Sequence, residues 1–160
     1  MAETLLLLQA AATLAMVGLI WFVQVVHYPL FGQVGRDRFA SYERLHQFRT
    51  TLVVAPLMLV EASTAVLLLW LRPVGVTMGA AVLGALLVGL IWVSTVLWQM
   101  PAHAKLEAAF NPAAHRWLVR SNWVRTAAWT ARGMLVCWMV SAIFLRGAAV
   151  VAAGLATRLP

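Results

Sequence analysis

Only 11% of this 160-residue chain is charged and 63% is hydrophobic, whereas about 25% of an ordinary soluble domain is charged. That balance, with a mean hydropathy of +0.87, excludes a water-soluble globular domain. The net charge of +7 does not indicate a nucleic-acid partner, because the basic residues stand beside bilayer-length apolar runs, where they orient the chain or meet anionic membrane lipid.

Four runs approach the roughly 20 apolar residues that a spanning helix needs. The first is Leu5 to Val26. No positive charge precedes it and it is too long for a signal-peptide core, so it reads as a span. The next segment contains "SYERLHQFRT", Ser41 to Thr50. Asp37 has the chemistry of an N-cap, which predicts a second helix from about Arg38 that enters the membrane at Thr51. The second span, Thr51 to Trp70, carries Pro56 and Glu61, and Arg72-Pro73 is expected to end it. The third span, Val74 to Trp98, should stop near Met100-Pro101, because the residue before a proline avoids helical geometry. "NPAAH" supplies Asn111 as N-cap and Pro112 as first residue of a fourth helix. That helix leads into the span Trp123 to Leu145, which contains Arg125, Arg132 and the lone Cys137, read as a buried structural thiol.

The expected fold is all-α, a four-helix transmembrane bundle. It forms one domain over residues 1–160, with extensions of helices two and four at one membrane face. Arg36, Arg38, Arg44 and Arg49 lie between spans one and two, and Lys105, Arg116 and Arg120 between spans three and four; the other side has Arg72, Arg146 and Arg158. Positive loops stay cytoplasmic. Both termini are therefore expected outside, with the chain in a bacterial inner membrane.

Each span has one polar seam at helical spacing. The seams are Gln9, Thr13, Gln24 and His27; then Glu43, His46, Thr50 and Glu61; then Trp92, Thr95 and Gln99; then His115, Leu118, Asn122, Arg125, Trp129 and Arg132. Polar groups are costly in lipid, so these seams should face the bundle interior. All 4 histidines fall at the expected cytoplasmic face.

Glu43 and His46 form E-x-x-H on one helical face. In ferritin-like di-iron bundles this motif occurs twice; here it occurs once. A mononuclear centre made by His27, Glu43, His46 and His103 is therefore the expected metal site. Imidazole and carboxylate together suit iron, copper, zinc or manganese. Haem b ranks below a non-haem ion, and the absence of C-x-x-C-H excludes covalent haem. Glu43 or His46 is the candidate general base and Arg125 the stabiliser of a developing oxyanion. Glu61 and Arg132, at similar depth, are either a structural ion pair or the floor of a pocket with Glu61 as proton acceptor. Gln99, Asn122, Arg132 and Trp129 are the candidate cofactor or substrate contacts, and Trp92 and Trp129 the candidate pocket walls. The remaining tryptophans near span ends read as interfacial anchors.

"QMPAH" and "NWVRT" resemble the anthrone oxygenase-like family of small four-span membrane proteins, through Gln99, Pro101, Asn122, Arg125 and Thr126. The resemblance covers the last third of the chain by motif and the remainder by layout. Ala102 and His103 stand where that family usually has an asparagine. The resemblance implies an oxidative enzyme with an apolar, aromatic-type substrate.

The leading expectation is thus a small membrane oxidoreductase or oxygenase that takes an apolar small molecule from the bilayer. One alternative is a metal-free acid–base enzyme. Another is a non-enzymatic subunit, either a homo-oligomer or an assembly partner in a larger membrane complex. Four spans are few for a transporter, and no broken-helix repeat is evident in the sequence.

Overall fold

The computed structural model describes residues 1–156. Arg158, counted above among the outer charges, lies outside them. Helix α1 is Ala2–Phe22, α2 Tyr28–Leu30, α3 Arg36–Leu67, α4 Met78–Ser94, α5 Met100–Ala108 and α6 Pro112–Ala156. They assemble into four rods: Ala2–Gln33, Arg36–Leu67, Met78–Ala108 and the long α6. Each is long and apolar enough to cross a membrane. The protein is an all-α four-helix bundle and reads as an integral membrane protein.

The helix ends correct three expectations. Gly35, not Asp37, precedes α3. Asp37 makes no capping bond and sits in the first turn, where its charge still complements the helix dipole. Helix α3 ends at Leu67, before Arg72-Pro73. Tight turns from Leu69 N to Val66 O and from Trp70 N to Leu67 O, both 3.1 Å, close it, and the Arg72 guanidinium takes the Leu69 carbonyl. The third rod does not stop at Pro101. A wide π-helical turn, Thr95–Gln99, joins α4 to α5, and Pro101 becomes the second residue of α5. Proline lacks an amide proton to satisfy, so the start of a new hydrogen-bonding register is the place a helix tolerates it. The fourth helix starts as expected, with the Asn111 side-chain oxygen accepting from Ala113 N at 2.9 Å and Ala114 N at 3.0 Å.

The first rod has the same device. A π-helical turn, Val23–His27, precedes α2, whose second residue is Pro29. The partner rods of the two hairpins then enter their apolar segments through "HQFRT" and "NWVRT". The bundle is thus two related hairpins, a relation that periodicity alone did not disclose. Neither wide turn breaks its rod.

The bundle is apolar outside and polar at its centre. Leucines, valines and tryptophans cover the surface, while Gln9, Thr13, Gln24, Glu43, Glu61, Gln99, Asn122, Thr126 and Arg132 are buried. The four seams therefore do face inward. Cys137, in contrast, is exposed on the outer surface of α6 and is not a core thiol.

Deep in the bundle, Glu61 ties three rods together. Its Oε1 accepts from Thr13 Oγ1 at 2.7 Å and from Arg132 Nε at 3.1 Å; its Oε2 accepts from Trp129 Nε1 at 2.8 Å. Arg132 also donates to the Gly84 carbonyl on α4. A second layer nearer the site is Gln24, which accepts from Asn122 Nδ2 at 2.9 Å and donates to the Val119 carbonyl at 3.1 Å. An apolar cluster of Leu6, Leu68, Val76, Ala80 and Met139 closes one end of the bundle. At the other end, Phe31, Phe39, Leu106 and Leu118 form the apolar frame around the histidines.

Candidate functional site

The two hairpins bring all four histidines around one buried side chain, Phe31, which is fully enclosed. Its ring lies 5.2 Å from the ring of His27, 5.1 Å from His46, 6.5 Å from His103 and 6.3 Å from His115, centre to centre. Phe31 belongs to the short turn Phe31–Gln33 that ends the first rod. The π-helical turn and Pro29 upstream set its position.

Glu43, His46 and His103 converge. One ligand atom from each lies within 4.8 Å of the others, close enough for small side-chain rotations to bring all three onto one ion with bonds of about 2.0–2.2 Å. Glu43 and His46 share a face of α3, as E-x-x-H requires, and His103 arrives from α5 because the third rod continues past Pro101. Glu43 is wholly buried and bonds His103 Nδ1 through Oε1; its Oε2 is buried with no partner. An unsatisfied buried carboxylate oxygen is uncommon and calls for a proton donor or an ion.

His27 does not join that triad. Its Nε2 shares a 2.9 Å hydrogen bond with His46 Nδ1, which Thr50 Oγ1 also meets at 3.0 Å. These contacts hold the His46 ring and leave its Nε2 for other use, the supporting role that outer residues play around metal ligands. His115 is settled by chemistry: its Nε2 lies 2.7 Å from the Tyr28 carbonyl. A carbonyl only accepts, so that nitrogen carries a proton and His115 braces the end of the wide turn.

No family model, curated protein or solved structure matches the chain.

Sequence reasoning missed Tyr28. Its hydroxyl lies 3.0 Å from His103 Nε2. With Glu43 as acceptor at Nδ1, the neutral tautomer of His103 donates there and accepts the tyrosine proton at Nε2. Tyr28, His103 and Glu43 therefore form an ordered chain of three titratable groups. Its signal was its place in "VHYPLF", between a histidine and a proline that resets the helix.

The other candidates separate by location. Gln99 accepts from Ser94 Oγ at 3.1 Å and donates to Ser121 Oγ at 3.2 Å, and it lines a cavity of about 340 Å³ between α3 and the α4–α5 rod. His46, His103, Tyr28, Trp92 and Arg125 line the same cavity. Asn122 is committed to Gln24. Trp129 is fully buried with its indole on Glu61, so it walls no cavity, whereas Trp92 does. Glu61 and Arg132 form a buried ion pair below the cavity and are absent from its lining. A second, more apolar cavity of about 390 Å³ lies between α1 and α3 and reaches His27 and His46 from the other side.

Proposed function

We propose that this is an integral-membrane metalloprotein that uses Glu43, His46 and His103 to hold one transition-metal ion and acts oxidatively on an apolar substrate drawn from the bilayer. The observation that carries the reading is the convergence of the three ligand atoms, with one carboxylate oxygen left buried and unpartnered. Glu43, His46 and His103 would hold the ion, and two imidazoles with one carboxylate suit iron, copper or zinc. A bound redox metal supplies the oxidising chemistry; zinc in the same ligands supplies Lewis-acid chemistry instead. The protein's own part is orientation and exclusion of water. His27 and Thr50 hold His46, Phe31 packs the ligand rings, and the cavity walls admit apolar molecules. The likeness of "QMPAH" and "NWVRT" to anthrone oxygenase-like proteins supports the oxidative half of the reading.

The test is the metal content of protein purified in mild detergent, measured beside His46→Ala and His103→Ala. About one ion per chain, lost in both variants, supports the reading; no ion after reconstitution with iron, copper or zinc refutes it.

A second reading rests on the Tyr28–His103–Glu43 chain. That order, a hydroxyl on an imidazole oriented by a carboxylate, is the arrangement of an activated proton donor or acceptor. Arg125 beside it would stabilise a developing oxyanion. Activity in rigorously metal-free protein, lost in Tyr28→Phe, would select this reading.

A further inference from the structure

The cavity between α3 and the α4–α5 rod changes character along the bundle axis. Its site end is formed by Tyr28, Gln99, His103 and Arg125, and its deeper part by Met58 and Trp92. Met58 lies about 18 Å beyond His46 along α3, at 1.5 Å per residue. Thr51 and Met100, both exposed, stand at the mouth. The cavity therefore opens sideways toward lipid, polar at the membrane face and apolar toward the midplane, as the bilayer itself is.

Arg125 meets the Tyr28 hydroxyl in this cavity but has no carboxylate partner. It is 7% exposed, and arginine keeps its charge in proteins. Among the described residues no carboxylate pairs with it: Glu61 serves Arg132, Glu43 serves His103 and Glu107 serves Arg44. Its guanidinium lies 5.0 Å from the centre of the Trp129 ring, and its Nε is buried with no partner. A buried cation with no anion is costly in a membrane bundle.

We infer that the cavity binds a single-chain amphiphile with a carboxylate head, a long-chain fatty acid, whose head pairs with Arg125 and whose chain lies against Val54, Met58 and Trp92. A carboxylate matches one guanidinium in charge and in fork geometry. A phosphate monoester calls for more positive charge, and Arg125 is the only arginine or lysine in the lining. A volume of about 340 Å³ suits one chain rather than a two-chain lipid. The inference rests on the reading of this cavity as the substrate site of the metal centre.

The test uses the full chain in nanodiscs of neutral phosphatidylcholine, with 9,10-dibromostearic acid as a quencher of tryptophan fluorescence and its methyl ester as the uncharged control. The acid quenches saturably, and Trp92→Phe removes most of the saturable signal. The ester, and the acid against Arg125→Gln, bind about tenfold or more weakly, while Arg125→Lys recovers part of the affinity. Ala55→Phe, which narrows the groove and leaves Arg125 in place, also loses binding, so the inference stays testable if Arg125→Gln does not fold. Wild-type protein that binds the acid but no metal sustains this inference and refutes the metal centre. Equal affinity for acid and ester, or unchanged binding in folded Arg125→Gln, overturns it.

Discussion

Replacing Glu61 with alanine tests the bundle's deepest polar contact. Three donors from two other rods converge on this carboxylate: Thr13 at 2.7 Å, Trp129 at 2.8 Å and Arg132 at 3.1 Å. Glu61 is 2% exposed and Arg132 fully buried, so the substitution leaves a cation unpaired in a dry interior. Breaking a buried pair from one side costs about 3–5 kcal/mol. The two neutral donors each lose a partner, but side-chain hydrogen bonds in membrane bundles average only about 0.6 kcal/mol, because the unfolded state finds substitutes. The expected total is about 4–6 kcal/mol, dominated by the stranded Arg132. Removing both charges together, Glu61→Leu with Arg132→Met, should recover most of it, because a well-packed apolar pair often equals a buried ion pair. The assay is reversible unfolding in mixed micelles, followed by far-ultraviolet circular dichroism, as a double-mutant cycle. Along α3, Glu61 lies about 22 Å from His46 at 1.5 Å per residue, so metal content should persist in whatever fraction of Glu61→Ala stays folded. A loss below about 1 kcal/mol in the single variant, or a double variant as unstable as the two singles combined, would refute the structural assignment.

Three further outcomes follow from the site. His27→Ala should weaken metal affinity about 10- to 100-fold without abolishing it, because His27 holds His46 and lies outside the converging triad; competition with a chelator of known affinity measures this. Metal affinity should fall as the pH is lowered, because histidine ligands must be neutral and protons then compete for them; equilibrium dialysis over a pH series would show a flat profile if histidine nitrogens were not ligands. Asn111→Ala should destabilise the chain by about 1 kcal/mol through loss of the α6 cap, read in the same unfolding assay with metal content unchanged.

Much of this architecture is legible in the sequence. Four apolar runs mark the rods, and the inward seams follow from helical spacing because a membrane leaves polar groups nowhere else to go. The pairing of Glu61 with Arg132 follows from their matching depth. The misplaced end that matters most to the site is at Pro101. Proline reads as a stop, yet a wide turn shifts the hydrogen-bonding register and lets the third rod run past Pro101, and that continuation carries His103 to Glu43. The same device at Val23–His27 brings Phe31 among the histidines and Tyr28 onto His103. Neither residue stood out in the sequence. Asn122 and Trp129 lie on the seam as expected, but they donate to Gln24 and Glu61. A face can be read from spacing; which neighbour uses it cannot.

The most direct measurement is X-ray absorption at the edge of the ion bound to the purified chain, taken for the unmodified protein and for His103→Ala. The account predicts about one ion per chain with two imidazoles and an oxygen ligand in its inner shell, and one imidazole fewer or no ion in the variant. A spectrum unchanged by His103→Ala, or one without imidazole scattering, would contradict it.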